Sequence, residues 1–172
     1  MVKVFETVRF GKIEIEEEKI IEFPSGLLGL TRYKHFFILD HSENSPFKWL
    51  QSGDDPALAF VIIDPLNFMG PEYLIEPSLQ EVQLILNKEE DQIVTAVIVT
   101  IPQDAALMTA NLRAPLLINM SNNKGMQYVI LDKEWPIRYE FLKDLKEKQK
   151  ETKDSGEENK SSKPKLKKSK KA

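Results

Sequence analysis

The chain contains no cysteine. That excludes disulfides, thiolate metal centres and cysteine nucleophiles, and it fits a reducing compartment. Histidine is almost as scarce, with only His35 and His41. They flank a predicted strand over residues 36–40, which puts both on one sheet face and Asp40 on the other. Two ligands at so loose a spacing make no zinc motif, so neither a metal nor any other cofactor is expected. Long apolar runs are missing as well. The longest covers only residues 57–63, against the roughly 18 residues a membrane helix needs. Met1-Val2-Lys3-Val4-Phe5-Glu6 has no cationic segment followed by an apolar one, so no secretory signal is expected.

Catalytic groupings are equally thin. Ser25, Ser52 and Ser78 lack a nucleophile-elbow context. Gly26-Leu27-Leu28-Gly29 has the spacing of neither a phosphate loop nor a dinucleotide fingerprint. The carboxylate runs Glu16-Glu17-Glu18, Asp54-Asp55 and Glu89-Glu90-Asp91 fall in turn-like stretches and read as solvated faces. The expectation is a soluble cytoplasmic protein that is not an enzyme.

What is present is enough for one packed domain: 172 residues, of which 41% are hydrophobic. The net charge of −3 conceals an asymmetry. From Lys143 onward there are 12 lysines against 6 acids; residues 1–142 hold 12 basic and 21 acidic side chains, a body near −9. Such a body repels phosphates and speeds encounters with basic partners, although the same charge also serves plain solubility.

Residues 1–142 read as mainly β. Lys12-Ile13-Glu14-Ile15-Glu16 alternates like a half-buried strand, and Phe10-Gly11-Lys12 reads as the turn of a hairpin with the run 2–10 before it. Further strands are predicted at 20–23, 36–40, 57–64, 116–119 and 126–131. The β-branched run 93–101 suits a strand buried on both faces. Ser78-Leu79-Gln80-Glu81 fits a capping box, and Leu79, Val82 and Leu86 follow at helical spacing, predicting a short helix over the sheet. The fold class is therefore a small β-barrel-like single domain with one or two short helices. Residues 143–172 form a charged, lysine-rich tail, helical at its start (138–150) and disordered beyond 151. A tail of this kind makes nonspecific contact with nucleic acid or stays solvated; an RNA-binding small barrel using it is the alternative reading of the chain.

Two blocks place bulky apolar residues between backbone punctuators: Phe23-Pro24-Ser25-Gly26-Leu27-Leu28-Gly29-Leu30 and Pro46-Phe47-Lys48-Trp49-Leu50-Gln51-Ser52. They shape a surface and carry no attacking group. Phe47 and Trp49 share strand parity and either fill the core or anchor a partner. Leu27 and Leu28, on a turn between glycines, stand between core and exposed patch in the same way. Asn111 and Asn119 flank Ala114-Pro115 and are read as structural, satisfying local backbone near a strand corner.

In this order the blocks resemble the flagellar assembly factor family called FliW. The resemblance extends through Leu58-Ala59-Phe60, Asp64-Pro65, Thr109-Ala110-Asn111-Leu112-Arg113-Ala114-Pro115-Leu116, Ile118-Asn119 and Gly125-Met126-Gln127, covering about residues 4–138. Trp135-Pro136 departs from it, since the family more often has Tyr before the proline, and the lysine-rich tail lies outside the shared core. The resemblance implies a cytoplasmic, non-enzymatic β-barrel that binds flagellin and the RNA-binding regulator CsrA. CsrA represses flagellin translation, and unsecreted flagellin captures the assembly factor and frees CsrA to repress. On that reading Leu27, Leu28, Pro46, Phe47, Trp49 and Gln51 line an apolar groove for an amphipathic flagellin helix. Glu16, Glu17, Glu18, Glu22, Asp54 and Asp55 supply an acidic face for CsrA. Asn111, Ala114, Pro115 and Asn119 hold the framework, and the protein alone is monomeric.

Overall fold

The run marked as buried on both faces becomes β7 (Ile93–Thr100), and the rest of the chain is wrapped around it. The computed structural model describes residues 1–88, 91–131 and 134–155. Ahead of β7 come an N-terminal hairpin, β1 (Val2–Thr7) and β2 (Gly11–Glu16), then β3 (Ile21–Glu22), β4 (His35–Asp40), β5 (Phe47–Ser52) and β6 (Ala59–Ile63). After it come β8 (Thr109–Ala110), β9 (Leu116–Asn119), β10 (Lys124–Gln127), β11 (Tyr139–Glu140) and α1 (Leu142–Ser155).

The main sheet runs β11-β8-β7-β6-β5-β4-β3-β10-β9, and β9 pairs back onto β7. That last pairing closes β7, β6, β5, β4, β3, β10 and β9 into a ring, with β8 and β11 extending outside it. Neighbours are antiparallel except β3 and β10, which run parallel where Glu22 meets Lys124. Closure covers most of the edge that an open sheet of this size would expose, with β11 left as an end strand outside the ring.

Parity explains the unbroken apolar character of β7. Val94, Ala96 and Ile98 point into the ring, where they meet Phe36, Leu50, Ile62, Leu116 and Ile118. Val97 and Val99 face outward against Phe68, Met69, Phe141 and Leu145. Ile93 does the same against Ile75, Val82 and Ile85. The segment 64–86 and α1 therefore form a second layer over the outside of the ring, so both faces of β7 are dry.

That second layer departs from the predicted helices. The capping box at Ser78 forms: Ser78 N–H donates to Glu81 Oε2 at 2.7 Å and Glu81 N–H to Ser78 Oγ at 3.3 Å. Yet residues 79–85 make consecutive turns, not a helix. The Ile85 carbonyl, which a continuing helix would offer to the next turn, is taken instead by the Asn119 and Asn122 side chains at 2.7 and 2.9 Å. Tertiary hydrogen bonds thus outcompete local propensity. At the other helix, Tyr139 and Glu140 pair as β11 with Ala110 and Thr109, which delays the start to Leu142. α1 then continues to Ser155, past the expected end of order. Phe141 and Leu145 are buried, so the first turn of the segment set apart at 143 is packed into the body. The basic stretch 156–172 and the pair Glu89-Glu90 lie outside the described residues.

Candidate partner-binding surfaces

The 23–30 block is a double turn bolted to the ring. Gly26 N–H donates to Phe23 O at 2.8 Å and Leu30 N–H to Leu27 O at 2.9 Å. Leu27 (2% exposed) drops into the ring interior, while Leu28 (57% exposed) stays outside. Its backbone is pinned all the same: Leu28 N–H donates to Gln127 Oε1 at 2.9 Å, and Gln127 Nε2 donates to Ala114 O at 3.1 Å. The far end of the Phe23 ring sits against Gly125 of β10, where an added Cβ would come within 2.6 Å of it. Gly125 is therefore required for space, and the first and last motifs of the chain are one contact.

The 46–52 block is β5, a full ring strand that the turn-like punctuation concealed. Pro46 sits just before the strand, where its missing N–H breaks no ladder. Gln51 (0% exposed) is interior: its Nε2 donates to Ser52 O at 3.0 Å and Leu58 O at 3.1 Å, tying down the loop between β5 and β6. Phe47 rests on Phe141, with ring centroids 6.1 Å apart. Trp49 is half-buried beneath the hairpin tip, with the Arg9 guanidinium 4.3 Å above its ring and Phe10 edge-on at 5.7 Å. This stack was not legible, because Arg9 and Trp49 are forty residues apart.

Two of the six apolar candidates are thus corrected: Leu27 and Gln51 are core residues with no face toward a partner. The remaining four do not form one groove. Leu28 is bonded to β10, whereas Pro46 leads into β5, to which Phe47 and Trp49 belong, on another part of the ring.

The acidic candidates are brought closer together. Glu16 ends β2, Glu17 and Glu18 follow it, and all three are exposed. Asn123 links them to Glu22: its Nδ2 donates to Glu18 O and its own carbonyl accepts from Glu22 N–H at 2.8 Å. Glu22 pairs with His35, and His35 Nδ1 lies 3.0 Å from Asp54 Oδ1. The six acids therefore trace one arc across the hairpin, β3 and the β5–β6 loop. They are not all free charges. Glu16 is 2.9 Å from Lys19 and Glu17 is 3.7 Å from Lys3. Lys19, by hydrogen bond and by charge, holds the Glu16 carboxyl below its ordinary value.

Asp54 and Asp55 also do structural work. Desolvation pushes the Asp54 carboxyl up, but the N–H groups of His35 (2.9 Å) and Lys34 (2.7 Å) and the His35 ring outweigh it, so the group sits below the usual carboxylate range. Asp55 Oδ1 accepts from Ala57 N–H at 2.9 Å in a local turn. Unfolding returns Asp54 to its ordinary value, so the unfolded chain binds this proton first as pH falls. The stability it contributes is complete above the ordinary carboxylate pKa and drains as pH falls through the folded one. Asp54→Asn is accordingly expected to lower Tm at neutral pH and to flatten the Tm profile between about pH 5 and pH 3. Thermal melts with the same slope in both proteins would contradict this.

The framework asparagines act where the chain turns corners. Asn111 Oδ1 accepts from Arg113 N–H and Ala114 N–H, both at 3.1 Å, and shapes the break between β8 and β9. Buried Asn119 donates to Ile85 O at 2.7 Å and Asp91 Oδ2 at 2.8 Å, and accepts from Ser121 N–H at 2.9 Å. His35 and His41 join no metal-ligating cluster among the described residues. No described helix is long and apolar enough to cross a membrane.

Comparison with known proteins places this architecture. A flagellar assembly factor FliW of Caldanaerobacter subterraneus subsp. tengcongensis is 39% identical over 141 residues, spanning 81% of this chain and 93% of the relative. Those of Syntrophus aciditrophicus and Leptospira interrogans serovar Lai are 41% and 39% identical, covering 80% of this chain and 86% and 91% of their own lengths. The crystal structure of a flagellar assembly factor FliW superposes with a TM-score of 0.74 at 31% identity, over 81% of this chain and 97% of that one. The family model for the FliW protein matches residues 4–141. The chain belongs to the FliW family of flagellar assembly factors.

Proposed function

We propose that this protein is a cytoplasmic partner switch that binds flagellin and CsrA in alternation and relieves CsrA repression of flagellin translation when flagellin is exported. Membership of the FliW family is the observation that supports this reading. The acidic arc supports its regulator half, because an RNA-binding protein needs a cationic surface for phosphates and that surface complements clustered carboxylates. A pull-down from the native bacterium should recover both flagellin and CsrA; recovery of neither overturns the proposal.

The arc has a sharper consequence. Within it, the three residues 16–18 are exposed at one corner. Reversing all three charges is expected to weaken CsrA by about tenfold and to reduce the salt dependence of binding. Titration calorimetry at two ionic strengths measures both. Unchanged affinity would remove the arc from the CsrA interface and leave the flagellin half standing.

A further inference from the structure

One end of the ring is not filled. Where β4, β6 and β9 end and β5 and β7 begin, Ile38, Ile62, Val94 and Ile118 wall a bowl of about 480 Å³, with Lys48 and Met120 also lining it. The reason is visible in the pairing of β6 with β7, which runs from Val61 opposite Val99 to Ile63 opposite Val97 and then stops. Continued by two residues, the register would set Pro65 opposite Thr95. Pro65 has no N–H to contribute. The chain turns away there, with Asp64 capping the turn by accepting from Leu66 N–H at 2.9 Å.

Thr95 is left at a vacated edge. On the opposite edge of β7, Gln92 O accepts from Met120 N–H and Ile98 O from Asn111 N–H. In an antiparallel ladder alternate residues direct both backbone groups to the same neighbour. The even-numbered residues of β7 therefore serve β9 and its approach, and the N–H and C=O of Thr95 point to the side that β6 has left. Among the described residues, no turn or loop hydrogen bond reaches either group. Thr95 borders the bowl; its side chain lies on the outward face of the strand with Val97 and Val99, buried, with an Oγ1 that has no hydrogen-bond partner. Buried polar groups without partners are rare in native proteins, and several on one residue beside a cavity mark a place built to receive something.

We propose that the edge of β7 at Thr95 and the adjoining bowl receive an extended segment of flagellin, which adds as a short strand and seats an apolar side chain among Ile38, Ile62, Val94 and Ile118. A small apolar molecule would fill the bowl but leave the N–H and C=O unmet. A polypeptide supplies an acceptor and a donor at strand spacing and places alternate side chains in a pocket, which is the logic of strand addition. The bowl lies in the size range of sites that bury a ligand. The inference rests on the reading above that flagellin is a partner, and it replaces a groove of Leu28 and the β5 aromatics with a different site.

Hydrogen exchange of the free chain and of the chain saturated with purified flagellin tests it, together with the flagellin affinity of one variant. The Thr95 amide is expected to exchange at least about tenfold more slowly in the complex, as a new strand hydrogen bond requires. Val94→Trp fills the bowl and is expected to weaken flagellin at least about tenfold. Normal flagellin binding with an unprotected Thr95 amide and an unaffected Val94→Trp variant would overturn the site while leaving the function in place. Failure of the wild-type chain to bind flagellin would overturn both. Protection of Thr95 in a dimer of the free chain would assign the edge to a second copy and overturn the proposal.

Discussion

Gly26→Ala is expected to cost about 3 to 4 kcal/mol, enough to lower Tm by roughly 10 °C in a chain of this size. Two separate penalties combine. Gly26 adopts φ +67°, a region that costs other residues about 1 kcal/mol or more. A Cβ there would also stand 2.6 Å from Thr31 Cα and 2.8 Å from Thr31 O, both backbone atoms that cannot swing aside. Gly29 provides the control. Its φ is +77°, yet nothing lies within 4 Å of an added Cβ. Gly29→Ala should therefore cost only the conformational part, about 1 kcal/mol. Equal losses in the two variants by thermal or urea unfolding would show that the close approach of residues 26 and 31 is not what the 23–30 turn depends on.

Asn119→Ala carries the second large expected effect, about 3 kcal/mol. The side chain is buried and uses both ends of its amide, donating to Ile85 O and Asp91 and accepting from Ser121 N–H. Alanine leaves these partners in place without their bonds, which costs more than the loss of the bonds alone. Asp91 reports the change directly. Its carboxyl is held below the usual range first by the Asn119 amide, then by the N–H groups of Asn87 and Lys88. In the variant that carboxyl should titrate closer to its ordinary value, as followed by NMR. A Tm within 2 °C of wild type, as a threshold of about half a kcal/mol, would contradict the structural role.

Much of the ring is legible in the sequence, and what is hidden has physical causes. The hairpin shows because Ile13 and Ile15 alternate with charges, and β7 shows because its β-branched run is too long for anything but a strand dry on both sides. β5 is masked by its own chemistry: Gln51 and Ser52 look like loop residues but are buried, their side chains hydrogen-bonded to the loop that follows. β8 and β11 are two-residue strands set by pairing, with no periodicity to read. The capping box at Ser78 is real, but the helix it would start loses its Ile85 carbonyl to residues more than thirty positions away.

The same division runs through the candidate surfaces. Acidity is a property of composition, so the charges of the arc were visible; that residues 16–18, 22 and 54–55 adjoin one another depends on Asn123 and His35. Apolar character, in contrast, marks core and surface alike. Leu27 and Leu28 are adjacent and chemically identical, and the double turn sends one inward and one out. Most motif residues that carry the family resemblance prove to build the ring: Gly125 against Phe23, Gln127 to Leu28 and Ala114, Asn111 at the β8–β9 corner. The vacated edge at Thr95 had no sequence signal of its own beyond Pro65, two residues past the end of β6.

The central claim is that two protein partners exclude one another on this chain. Calorimetric titration of the purified protein with CsrA, alone and in the presence of saturating flagellin, measures that coupling. The account predicts that each partner binds by itself and that flagellin raises the apparent Kd for CsrA by at least about tenfold, a coupling of about 1.4 kcal/mol or more. A CsrA affinity that flagellin leaves unchanged would contradict it.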